Sequence, residues 1–236
     1  MCLAAAVTDL AGAVWPRLPA APLLVVPLGS VEQHGPHLPL ATDTAVAAAV
    51  ARLALPELDG ALLAPALPYG ASGEHEGFPG TVSIGTEALA TVLVELGRSA
   101  GRWAGRLLVV NGHGGNLDAL RAAVPQLRSE GRDVAWFPCG VPGGDAHAGR
   151  TETSLMLHVE PERVRAAEAV RGETAPLAEL LPRLRAGGVQ AVSPTGVLGD
   201  PAGASAAEGA ELLAGIARRL VPAVRGWAVD PAGRLR

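Results

Sequence analysis

The chain has 236 residues, 49% of them hydrophobic, and a positive mean hydropathy, enough to bury one sizeable α/β core in a single domain spanning 1–236. A net charge of -4 without a basic cluster, all 19 basic residues being Arg, gives no support for nucleic-acid binding. Two cysteines, Cys2 and Cys139, make no disulfide framework and suit a reducing cytoplasm. The early run MCLAAAV lacks a basic flank and soon meets Asp9, so it is not read as a signal peptide. No stretch approaches the ~18 apolar residues of a membrane-spanning helix.

After a short N-terminal segment ending near Trp15 and Pro16, Leu23, Leu24, Val25, Val26 and Leu28 predict a strand buried on both faces. It breaks at Gly29 into a loop carrying Glu32, His34, His37 and Asp43. Glu32 and His34 are two residues apart, so in an extended chain their side chains leave on the same side. Asp43 follows an excursion through Pro36 and Pro39, just before an Ala-rich helix predicted over 44–55, and the chain can fold back to deliver it as a third ligand. A carboxylate, an imidazole and a second carboxylate form a mixed set of the kind that holds zinc, manganese or iron(II). Two plainer readings stand beside this one: Asp43 as a helix N-cap, and Glu32, His34 and His37 as an ordinary polar loop.

A second short strand is predicted over 61–67, followed by PYGASGEHEGFPGTVSIG at 68–85, whose five Gly and two Pro exclude a helix. Long ordered loops of this kind are disproportionately functional. Tyr69, Glu74 and His75 are its candidates for substrate contact; for Glu74, His75 and Glu76, solvated loop charge is the equal alternative. Leu89, Val92, Leu93 and Leu96 give helical spacing within 86–104. A third strand, 106–110, runs into Asn111-Gly-His-Gly-Gly-Asn116, where the only two Asn of the chain flank His113. This turn has neither the GxGxxG nor the Walker spacing, so a phosphate cradle is rejected. Its position at a strand's C-terminal end favours a site, although His113 as a cap of the next helix (117–130) also fits. A fourth strand, 133–137, leads to DAHAGRTETSLMLHV at 145–159, with His147, Glu152 and a helix starting near Thr151. His158 and Cys139 read as structural. Residues 162–200 read as short elements joined by Pro and Gly, and 204–225 as a terminal amphipathic helix.

The stretches GSVEQHGPHLPLATD, GFPGTVSIG, VNGHGGN and HAGRTETSLML stand in the order found in the creatininase (creatinine amidohydrolase) family, and GVLGDPAGASAAEG extends the likeness to the terminal helix. The resemblance implies a three-layer α/β/α sandwich around a mostly parallel sheet, a homo-oligomer of hexameric type, and two divalent ions, iron(II) or zinc, with manganese also suited. It implies Glu32, His34, Asp43 and His113 as ligands, with Asp43 bridging, and His147 as the catalytic His. The chain departs from creatininase itself at Gly115, where an acidic ligand stands two residues after the His of the NGH motif, and at Ala146, where an acidic residue precedes the catalytic His. Glu152 is the candidate replacement ligand, and these losses argue against creatinine as substrate. The N–H groups of Gly114 and Gly115 are candidates for stabilising an oxyanion. The loops are most similar to members that cleave a Gly-Val bond in a ribosomally made precursor peptide, releasing a modified C-terminal Val-Tyr dipeptide. Competing readings are a formamide or cyclic amide hydrolase of the same family, and a metal-bearing protein without turnover.

Overall fold

The structure, a computed structural model, describes residues 9–236; the MCLAAAV run and Cys2 lie outside the described residues. Four strands, β1 (Leu23–Leu28), β2 (Ala61–Leu63), β3 (Arg106–Asn111) and β4 (Val134–Pro138), form a parallel sheet in the order β2-β1-β3-β4. Side chains alternate across it, as the two-residue period of a strand requires. Val25, Leu108, Val110, Ala135 and Phe137 meet helices α1 (Thr42–Ala54), α4 (Arg150–Val159) and α6 (Ala206–Gly226) on one face. Leu24, Val26, Leu107, Val109 and Trp136 meet α2 (Thr86–Ala100) and α3 (Leu117–Ser129) on the other. The result is a three-layer α/β/α sandwich whose strands are apolar on both faces because both are covered.

The chain steps from β1 out to β2, then crosses back over β1 to β3 and on to β4. Right-handed crossovers place α1 on one face and α2 and α3 on the other. Strand order therefore reverses between β1 and β3, and a crevice opens there at the strands' C-terminal ends, where open α/β sheets take ligands. The register pairs Leu28 with Asn111 and Asn111 with Pro138, so β1, β3 and β4 end level and release their loops at one edge.

Three elements differ from expectation. β2 stops at Leu63, although Ala64 N still donates to Val25 O, and the chain bridges β1 again at Leu28–Leu67. Helix α2 ends at Ala100 rather than 104, where Gly101 caps it. Residues 162–200, read as short pieces, contain the 11-residue helix α5 (Leu177–Gly187) despite Pro182 inside it. Leu180 of that helix packs with Val189, Val192 and Leu198 in a small separate cluster beside the 68–85 loop. Among the described residues no helix is long and apolar enough to cross a membrane.

Candidate metal centre

The loop after β1 carries Ser30, Glu32, Gln33 and His34 inward, and the first turn of α1 brings Asp43 back beside them. His113 enters from the end of β3, His75 from a single turn at Gly73–His75, His147 from the loop before α4 and Glu152 from the first turn of α4. Glu32, His34, Asp43, His75, His113 and His147 are all buried. Asp43 and Glu152 sit in first helical turns, where the helix dipole favours negative charge.

Asp43 divides its two oxygens. Oδ1 lies 3.1 Å from His34 Nε2, and Oδ2 lies 3.1 Å from His113 Nδ1. Glu32 Oε2 approaches the same His113 nitrogen at 3.2 Å, and Glu152 Oε2 approaches His34 Nε2 at 3.8 Å. Two triads result, Glu32–Asp43–His113 and His34–Asp43–Glu152, the ligand atoms of each within 4.8 Å of one another. A third grouping, Glu32–His34–His147, meets the same spacing.

Two features show that a cation fits. Ser30 Oγ lies 2.8 Å from Glu32 Oε2 and 2.6 Å from Asp43 Oδ2, yet one hydroxyl has a single proton to give. Glu32 Oε1 is buried with no hydrogen bond, although His75 Nε2 stands at 3.3 Å and His147 Nδ1 at 3.8 Å. Uncompensated buried charge costs several kcal/mol per ion, roughly. Mixed imidazole and carboxylate donors at this spacing suit zinc, iron(II) or manganese.

Without an ion, protons take the cation's place. Burial alone would lower the His34 pKa, but Asp43, Glu152 and Glu32 raise it to about 10. His113 is likewise raised well above its ordinary value, against burial, by Glu32 and Asp43. Asp43 is held well below the usual carboxylate range, against burial, by these two imidazoles. Burial pushes Glu152 up to about 7. His147 goes the other way: burial, then His34 and His75, push it well below 6.5, so its imidazole is neutral. Burial also raises Cys139 to about 12, leaving an inert thiol.

Several site-building residues carried no signal in the sequence. Gln33 sends one amide hydrogen to His75 Nδ1 (2.8 Å) and the other to the Gly196 carbonyl (3.2 Å), while its own backbone carbonyl accepts from His147 Nε2 at 2.8 Å. Gly196, at φ +80°, packs flat on the Gln33 side chain, where any Cβ would collide with Oε1. The GVLGD loop also pairs Leu198 with His147, and Ala148 takes φ 52°, so the imidazole is fixed from both sides. Asn116 joins three loops, bonding Gly29 O, Ala71 N and Asn111 Oδ1. His75 is buried in the knot and Glu74 reaches His113, whereas Tyr69 and Glu76 are exposed. His37 turns away to bond Thr153.

Asp43, His113, Gly114 and Glu152 face a cavity of about 1120 Å³ that opens between the end of the sheet and α4. It is large enough to admit a peptide end.

The sequence profile described as creatininase, creatinine amidohydrolase, matches residues 12–224. The chain belongs to the creatininase family. The mycofactocin precursor peptide peptidase of Mycolicibacterium smegmatis is 57% identical over 219 residues, covering 91% of this chain and 89% of that protein. The peptidase of the same name from Mycobacterium tuberculosis H37Rv is 54% identical, covering 97% and 95%. Among solved structures, a manganese form of creatininase superposes with TM-score 0.73 at 25% identity, covering 93% of this chain and 98% of that one. A Zn-Zn form of a creatininase variant gives 0.72 at 25% identity with the same coverage. The creatininase fold thus holds both triads at the sheet's switch point, and at Gly115 the backbone passes against Ala71, His113 and Glu74 with no room for a side chain.

Proposed function

We propose that this creatininase-family chain is a two-metal peptidase that removes the modified C-terminal Val-Tyr dipeptide from the mycofactocin precursor peptide. The observation that carries the two-metal reading is the division of Asp43, one oxygen toward each triad. The substrate comes from the 54–57% identity to peptidases of that name over nearly the whole chain.

Glu32, Asp43 and His113 would hold one ion, and His34, Asp43 and Glu152 the other, Glu152 supplying the carboxylate that Gly115 lacks. Two divalent ions so held supply a water nucleophile active near neutral pH and polarise the scissile carbonyl. Hydrolysis adds the water oxygen to the carbonyl carbon, breaks the C–N bond and puts a proton on the departing amine. His147 is the group to carry that proton. Its Nε2–H is tied to Gln33 O, so its neutral Nδ1 faces the Glu32 side of the cluster, free to accept from water and then donate. Gly114 lines the cavity, and the N–H groups of Gly114 and Gly115 are the proposed donors to a developing oxyanion. Tyr69, Glu74 and His75 remain candidates for substrate contact from the 68–85 loop.

Iron(II) and zinc are the proposed ions, with manganese as a substitute. We place the protein in the cytoplasm as a single catalytic domain in a homo-oligomer, hexameric by family resemblance; exposed Val14 and Trp15, 57% and 84% accessible, suit burial in such an assembly. The test is mass spectrometry of the modified precursor incubated with metal-free protein reloaded with each ion. Release of the dipeptide supports the peptidase reading. An intact peptide alongside turnover of a formamide or cyclic amide would replace it.

A further inference from the structure

His113 presents Nδ1 to Glu32 and Asp43, and the other nitrogen of the ring has its own partners. Nε2 lies 3.2 Å from the Ala71 carbonyl and 3.3 Å from Glu74 Oε1. When Nδ1 gives up its proton to bind an ion between Glu32 and Asp43, Nε2 keeps its own, and the Ala71 and Glu74 oxygens both face it as acceptors. Glu74 reaches this place only because residue 115 is glycine: a Cβ there would meet Glu74 Oε1 at 2.6 Å and would also run into His113 Nε2 and Ala71 O. The backbone of Glu74 is pinned from behind, its carbonyl accepting from Val189 N at 2.8 Å. The Glu74 backbone is thus anchored to the segment after α5, where Val189 and Val192 pack with Leu180 of that helix.

We infer that Glu74 is the positioning residue of His113: seated over Gly115, its carboxylate accepts the Nε2 proton and fixes Nδ1 toward the Glu32–Asp43 pair. A carboxylate on the far nitrogen of a ligating imidazole sets the ring's tautomer and orientation and makes the near nitrogen more basic, and its loss typically costs roughly 10–100-fold in metal affinity. This gives Gly115 a function. A side chain at 115 would fill the space behind the histidine, against Nε2, and its absence admits a carboxylate from a different loop there. The inference rests on His113 being a ligand, as proposed above.

The experiment is zinc titration of metal-free protein against a chromophoric chelator, comparing wild type with Glu74→Ala, Glu74→Gln, His113→Ala and the Glu74→Ala/His113→Ala pair. Thermal melting of each metal-free variant checks folding. Glu74→Ala is expected to weaken binding of the Glu32-side ion roughly 10–100-fold. Glu74→Gln, which keeps an acceptor oxygen, should lose less, and Glu74→Ala should add nothing once His113 is gone. Cobalt(II) spectra of Glu74→Ala should shift relative to wild type. Wild-type zinc affinity in Glu74→Ala, an equal loss with and without His113, or a change confined to peptide KM would each overturn the positioning role. Unchanged affinity in His113→Ala would instead bring down the metal assignment on which it stands.

Discussion

His147 Nε2 donates to the backbone carbonyl of Gln33 at 2.8 Å, and this bond turns Nδ1 toward Glu32 Oε1, 3.8 Å away. The imidazole is thereby given a fixed tautomer by a group that cannot be mutated away. For His147→Ala the expectation is full metal content with kcat lower by ~10²–10⁴, the usual range for a lost proton carrier. Steady-state kinetics and metal analysis on one sample decide it; a wild-type rate would assign the proton to another group.

Asp43 serves both triads, and the other four ligands serve one each. Metal content should follow that division. Asp43→Ala is expected to lose both ions, Glu32→Ala and His113→Ala to keep the His34-side ion, and Glu152→Ala to keep the Glu32-side ion. Elemental analysis after dialysis reads the stoichiometry, and an Asp43→Ala protein that retains two ions per chain contradicts the bridging role.

Metal binding should release protons. In the metal-free protein His34 titrates at about 10 and His113 well above its ordinary range, so both are protonated at pH 7, and Glu152, at about 7, is half protonated. Ligation removes these protons, so loading both sites should release about two to three per chain and affinity should rise steeply with pH. Calorimetry in buffers of different ionisation enthalpy measures the number. The same shifts govern the metal-free fold. A His34 pKa raised from 6.5 to about 10 adds stability that is complete below pH 6.5 and is lost as pH rises through 10. Melting of the metal-free protein should fall across that window, and binding without proton release would refute the charge assignment.

Gly196→Ala places a methyl group on the Gln33 amide at a left-handed backbone position. The substitution should cost more than ~1 kcal/mol of stability. It should also shift Gln33, and with it His75 and His147, lowering kcat while both metals stay bound. Kinetics on the metal-replete variant check this; unchanged turnover would mean that the Gln33 amide does not position the imidazoles.

How far the sequence discloses this arrangement depends on how local each signal is. β1 and the Leu107–Val110 part of β3 are continuous apolar runs, broken at Gly29 and at Asn111-Gly112, so both they and the loops bearing Glu32, His34 and His113 could be read directly. Asp43 and Glu152 carry helix-start signals as well as ligand chemistry, and both do lie in first turns. For His75 the sequence leaves loop charge and substrate contact level, because the groups that enclose its ring, Glu32, Gln33, His113 and His147, come from three other loops. Ser30 and Gln33 have no distinctive chemistry of their own; only the fold reveals a hydroxyl between two carboxylates and an amide between two imidazoles. The helix α5 was hidden by Pro176 and Pro182, whose breaking tendency is overridden by the seat that Leu180 finds in a remote cluster.

The most direct measurement is anomalous diffraction at the absorption edge of the loaded metal from crystals of reconstituted protein. Two peaks are predicted, one against Glu32, Asp43 and His113 and one against His34, Asp43 and Glu152. A lone peak away from Asp43, or none in a crystal of enzyme that still releases the dipeptide, would contradict the two-metal account.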